Sequence, residues 1–148
     1  MANLVKNLVM TGVLAHRGGY PIQRTYCLKT EYLMLASETE IAWAAGLFEG
    51  EGSIVFCNTQ GYLFPRITIK MCDKDVLEKF SKIVGVERIN GPYITKQSKA
   101  NPHWKPAYEW HAAKKKEVTR ILSSFLPYLG ARRAYKALNA LDLIDNIY

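Results

Sequence analysis

Glu49 and Glu51 stand at alternate positions in the stretch Ala44-Ala45-Gly46-Leu47-Phe48-Glu49-Gly50-Glu51-Gly52. Ser37 or Thr39 can cap a helix ahead of it, with Glu38 and Glu40 in the favourable first turn, and that helix should run to about Phe48. Its far end carries about half a negative charge, so acids there destabilise it. No basic side chain lies near the two acids in sequence, so something cationic should compensate. A divalent ion held by carboxylate, backbone carbonyl, water and phosphate oxygens would do so. The flanking glycines leave room for close backbone approach and a sharp exit from the helix. The plain alternative is a glycine C-cap with solvated glutamates.

Further along, Lys114, Lys115 and Lys116 crowd the expected start of a helix, where cations oppose the dipole, and a phosphate contact would account for them. His111, at the end of a predicted strand, has the chemistry of a general base, or of a structural or phosphate hydrogen bond. Trp43, Trp104 and Trp110 read as core or loop anchors.

The elements that must position these groups follow from periodicity. Ser53–Thr59 and Gly61–Met71 are β-rich runs joined by a tight turn at Asn58–Gly61. Asp73 is placed to cap a helix with Val76, Leu77, Phe80, Ile83 and Val84 at helical spacing, ending at Gly85. The pattern repeats: a strand over Val86–Lys96, a polar loop, a strand over Trp104–Ala112, a helix from Lys114 to about Leu126, and a last helix from Gly130. The order α-β-β-α-β-β-α-α gives an α+β fold, a four-stranded antiparallel sheet covered by helices on one face. Alternation along the strands puts Ile54, Phe56, Ile67, Ile69, Met71, Tyr108 and Trp110 inward. The open face receives Ser53, Val55, Cys57, Thr59, Arg66, Thr68, Lys70, Arg88, Asn90, Lys105, Glu109 and His111. A solvated surface would look similar, but such a ribbon can also enter a DNA major groove and read base edges.

Residues 1–36 read as a basic extension of open role, and 37–148 as the main domain. The first 30 residues contain no acid; Leu4, Val5, Leu8 and Val9 could line a short helix, and Arg17-Gly18-Gly19-Tyr20-Pro21 would break it. A targeting segment, a DNA-contacting arm and readthrough from an upstream frame all remain open. The net charge of +7 suits a polyanion, most simply nucleic acid. No eighteen-residue apolar run is present, so no membrane span is expected. Cys27, Cys57 and Cys72 fit no zinc or disulfide pattern and read as free thiols in an intracellular reducing compartment: bacterial or phage-host cytoplasm, or an organelle.

The nine residues 44–52, at a helix-to-strand junction within this order of elements, resemble the signature of the LAGLIDADG homing endonucleases. Glu49 and Glu51 stand where that signature has aspartates, Gly46 and Gly52 stand on its glycines, and Ala44 replaces its leading leucine. The resemblance covers roughly Ser37–Tyr148 and implies a site-specific, metal-dependent double-strand DNA endonuclease acting in intron homing. Glu51 would be the direct metal ligand, Gly50 would add its backbone oxygen, and the ion would be Mg²⁺ or Mn²⁺. A basic residue would assist the water network or the transition state; Lys114 is preferred over Lys115 and Lys116, with Lys70 a second candidate.

Ala42, Ala45, Gly46 and Glu49 fall on one helix side, and the resemblance implies that this side meets the same helix of a second subunit. Leu143-Ile144-Asp145-Asn146 lacks the glycines of a second signature. One signature implies a homodimer on a long, pseudo-palindromic duplex, with no small-molecule substrate. The competing readings are a DNA- or RNA-binding regulator or maturase of the same fold without cleavage, and an interaction protein that uses the helix only to dimerise.

Overall fold

The computed structural model describes residues 9–14, 22–27, 36–94, 96–101 and 103–147. Val9–Leu14 (β1) and Ile22–Cys27 (β2) pair antiparallel as a two-stranded sheet. This corrects the expectation of a helix reaching Val9; Leu4, Val5, Leu8 and the Arg17–Pro21 break lie outside the described residues. Valine, isoleucine, threonine and tyrosine in these runs favour an extended chain, and that preference outweighs the weak helical spacing.

Ser37 opens the first helix with a complete capping box. Its hydroxyl accepts from the Glu40 amide, and the Glu40 carboxylate accepts from the Ser37 amide at 2.9 Å. The helix, α1, spans Glu38–Glu51 and continues past the expected end at Phe48, so both acids lie in its last turn. Gly52 then turns directly into β3 (Gly52–Thr59), which pairs with β4 (Tyr62–Met71). Asn58 accepts from the Gly61 amide at 3.1 Å across the hairpin turn, where Gly61 has φ of 86°.

Helix α2 spans Lys74–Val84 and ends at Gly85 in the left-handed conformation. Asp73 precedes it but makes no capping hydrogen bond with its side chain. Strand β5 covers Ile89–Tyr93, shorter than expected, and a short helix α3 (Lys96–Ala100) occupies part of the predicted loop. Strand β6 covers Ala107–Ala112, α4 covers Lys115–Phe125, a 3-10 turn covers Leu126–Tyr128, and α5 covers Ala131–Ile147.

The sheet order is β3-β4-β6-β5, antiparallel throughout, as the α+β reading requires. Phe48, Ile54, Ile67, Ile69, Phe80, Trp110, Ile121 and Phe125 are fully buried between the sheet and α1, α2, α4 and α5. Trp110 anchors this layer: its indole N–H donates to the Val86 carbonyl at 2.6 Å, and Phe80 meets its ring edge-on at 4.8 Å. Trp104, by contrast, is exposed in the loop before β6, and Trp43 is half-buried under the Lys79 ammonium.

Candidate metal centre and nucleic-acid interface

The junction between α1 and β3 is tightly built. A Cβ on Gly52 would lie 2.2 Å from the Phe48 ring and 2.6 Å from the Phe48 carbonyl oxygen, so only glycine fits there. Arg133, on the first turn of α5, donates to the Gly52 carbonyl and lies over the Phe48 ring at 5.4 Å. Its Nε is 3.5 Å from Glu49, and Glu49 also accepts from the Gly130 amide at 3.2 Å, at the positive end of α5. The cation missing near Glu49 in sequence is therefore supplied from α5.

Glu51 has no such compensation. It is exposed and has no hydrogen bond or ion pair among the described residues. The donor set suits a hard cation: a free carboxylate beside the exposed Gly50, with coordination left for water and phosphate oxygens. Among the described residues no group of three His, Cys, Asp or Glu could enclose a metal by itself. An ion at Glu51 would have positions for water and phosphate oxygens beside the carboxylate and the Gly50 carbonyl.

Of the basic candidates, only Lys70 shares this end of the sheet. Gly52 pairs with Ile69, so Glu51 and Lys70 each lie one residue beyond that pair. The Lys70 ammonium leans over the Tyr93 ring at 5.4 Å, toward the β5 edge. Lys114 is not brought to Glu51. Ala112 pairs with Ile67, and Lys114 lies beyond it, toward the β3–β4 hairpin. The strand rise puts it roughly 15 Å or more from Glu51. Two contacts agree: Lys115 lines a cleft of about 170 Å³ with Tyr62, Pro65 and Ile144, whereas the opposite end of α5 touches Glu49. Lys114 itself approaches Glu117 at 3.8 Å. A basic residue absent from the expected set is Arg132, exposed beside Arg133 on the first turn of α5. The Arg132-Arg133 pair just after Gly130 was its only sequence signal.

The open sheet face holds most of the expected polar set. Register aligns Val55 with Arg66, Ser53 with Thr68 and His111, and Lys70 with Glu109 and Asn90. Cys57 and Thr59 continue it toward the hairpin. Arg66 Nη2 donates to Glu109 at 2.8 Å, and Arg88, just before β5, forks onto Glu117 of α4 at 3.0 and 3.2 Å. Arg88 is thus tied to a helix. The Asn90 amide lies 3.2 Å from His111 Nδ1, a pairing that fits neutral imidazole accepting there. Burial lowers the His111 pKa below its ordinary 6.5, helped by Arg66 and Arg88 and opposed by Glu109 and Glu117. Lys105 is a second correction. Since β6 begins only at Ala107, Lys105 sits in the preceding loop, 3.7 Å from Asp73 and off the sheet.

The small-residue face of α1 differs from expectation at one position. Ala45 is fully buried with Ala44 and Phe48 in the chain's own core rather than on the open side of α1. The open ridge is instead Ala42, Gly46 and Gly50, at i, i+4 and i+8. A Cβ at Gly46 or Gly50 would meet nothing within 4 Å. No described helix is long and apolar enough to cross a membrane.

No family model matches the sequence, and no curated protein is similar enough to be matched. Solved structures do match. The homing endonuclease I-CvuI, in complex with the I-CreI target, superposes with a TM-score of 0.56 at 19% identity, over 73% of this chain and 67% of its own. The archaeal intron-encoded I-Vdi141I, complexed with DNA, gives 0.56 at 14% identity over 74% and 69%. The LAGLIDADG homing endonuclease I-GzeII, in complex with its DNA target, gives 0.55 at 18% identity; this chain aligns with 72% of itself but only 35% of that longer one. The chain has the fold of the LAGLIDADG homing endonucleases.

Proposed function

We propose that this chain is a single-motif LAGLIDADG homing endonuclease, a homodimer that hydrolyses one phosphodiester bond in each strand of a long, pseudo-palindromic DNA site. The observation that carries the reading is the pairing of opposites at the end of α1. Glu49 is neutralised within the chain, while Glu51, two residues on, is exposed and has no compensating cation among the described residues. An acid left bare at the negative end of a helix is costly unless a cation joins it.

The open ridge supports a dimer. Gly46 and Gly50 each cost α1 about 1 kcal/mol relative to alanine, and no packing among the described residues requires their lack of a side chain. Close approach of a second α1 gives them a purpose and brings two copies of Glu51 together at the twofold axis. Each Glu51, with the Gly50 carbonyl, would hold Mg²⁺ or Mn²⁺. When bound, such an ion activates water and stabilises the leaving oxygen. Lys70, which shares the Glu51 end of the sheet, would serve the scissile phosphate, and the exposed Arg132 on the first turn of α5 is a further candidate; the position of Lys114 suits a phosphate farther out. Ser53, Val55, Cys57, Thr59, Arg66, Thr68, Asn90 and His111 would face the bases, with DNA completing the charge balance of the +7 chain.

The experiment is to incubate the chain with a randomised duplex library, with and without Mg²⁺, and sequence the ends. Defined double-strand breaks that need the metal are expected. Selective binding with no breaks would instead favour a regulator that kept the fold and lost cleavage.

A further inference from the structure

The open face contains one acid among its basic and neutral groups, and its placement is informative. Glu109 lies in β6, flanked in register by Lys70 on β4 and Asn90 on β5. Facing DNA, an unpaired carboxylate there would repel the backbone. It is not unpaired: its Oε1 accepts from Arg66 Nη2 at 2.8 Å, with the Arg66 and Glu109 side chains 34% and 24% exposed. Arg66 reaches Glu109 along the sheet rather than straight across it, since its own row is that of Val55. The guanidinium therefore lies along the face instead of standing out from it.

This contact uses one of the five donors of the guanidinium. Arg66 Nε is buried, so the donors that can meet a base are those of the Nη atoms not given to Glu109. A planar fork held on one side, with donors left over on a partly exposed side, is pre-organised for a planar acceptor pair. In the major groove that acceptor pair is guanine O6 and N7.

We propose that Glu109 is a positioning residue for base recognition: it fixes the Arg66 guanidinium so that its remaining donors read one guanine in each half of the DNA target. The inference rests on the DNA-binding reading above and adds a base, a reading residue and the residue that aims it. Discrimination at that base pair follows from the fork geometry, so a lysine in place of Arg66 loses it while keeping the charge.

Binding selections on a randomised duplex library, without divalent ion, compare the full chain with its Arg66→Lys, Glu109→Ala and Glu109→Gln variants. Wild type should enrich guanine at a particular position of each half-site. Arg66→Lys and Glu109→Ala should both reduce that preference, by on the order of tenfold, at the same position and no other. Glu109→Gln retains an acceptor for Nη2 and should keep most of the preference. A destabilised variant would lose binding to every sequence alike, so a position-specific change is separable from misfolding. The proposal is overturned if Glu109→Ala raises or lowers affinity equally for all sequences, or if it and Arg66→Lys alter different positions. Should wild type enrich no sequence at all, the DNA-binding reading itself fails, and this inference with it.

Discussion

Glu51 and Glu49 are the same residue type two positions apart, and their surroundings give them different work. Glu49 closes the α5 N-terminus and pairs with Arg133, whereas Glu51 is exposed with no hydrogen bond or ion pair among the described residues. The turn between helix and strand depends on Gly52. Gly52→Ala should cost about 1–3 kcal/mol by overpacking against Phe48, one clash being with a backbone oxygen that cannot swing aside. Urea denaturation of the variant checks this; an unchanged midpoint would mean that the junction is looser than described. His111 supplies a pH-dependent term. Its folded pKa is depressed, so the unfolded chain takes up the proton first. The contribution is present above about pH 6.5 and is lost as pH falls through the lower folded value. Unfolding midpoints should therefore drop as pH falls below about 6.5, and His111→Gln should flatten that part of the profile.

Among the elements, α1 divides its core side and its open side between different residues. Ala44, Ala45 and Phe48 face the core, while Ala42, Gly46 and Gly50 lie on the open side. Gly46→Ala should stabilise the isolated fold, by about 1 kcal/mol at most from helix propensity. Gly46→Leu should leave the chain folded yet split the dimer, and sedimentation velocity distinguishes the two effects. A Gly46→Leu chain that still sediments as a dimer places the interface elsewhere. The clamp from α5 is tested by Arg133→Met, which removes the donor to the Gly52 carbonyl and the cation beside Glu49 while the Gly130 amide still donates to Glu49. A loss of about 1–3 kcal/mol is expected in thermal or chemical melts.

The elements of the main domain were legible because each carried a local signal: the Ser37 and Glu40 capping box, the Asn58–Gly61 turn, the left-handed Gly85 and the apolar spacing of α2. What escaped was set by long-range contact. The helical spacing that joins Ala45 to Gly46 cannot say which of them the core covers. The lysine run 114–116 looked like an active-site cation until strand register placed it at the hairpin end. Arg133 became visible only when folding brought α5 onto the motif junction. Lys105 was misplaced because β6 starts at Ala107, and the alternating pattern runs past the true end of the strand.

For the whole molecule, the elements from α1 onward build a buried cluster that includes the side chains of α1, α2, α4, α5 and the four-stranded sheet. Deletion through residue 35 keeps the Ser37 capping box and should leave a cooperatively melting core; an insoluble product would show that the domain boundary lies elsewhere. An excess of cations that follows phosphates should also make DNA affinity fall steeply with salt. With six or more phosphate contacts the loss from about 50 to about 200 mM salt is on the order of a thousandfold. A protein that merely dimerises through α1 would show almost none. The most direct measurement concerns Glu51 itself: wild type and Glu51→Gln, each with the wild-type target duplex, assayed side by side for binding and for double-strand cleavage in Mg²⁺. Retained binding with cleavage abolished in the variant is the predicted result. Cleavage undiminished by Glu51→Gln would contradict the assignment of the metal to the end of α1.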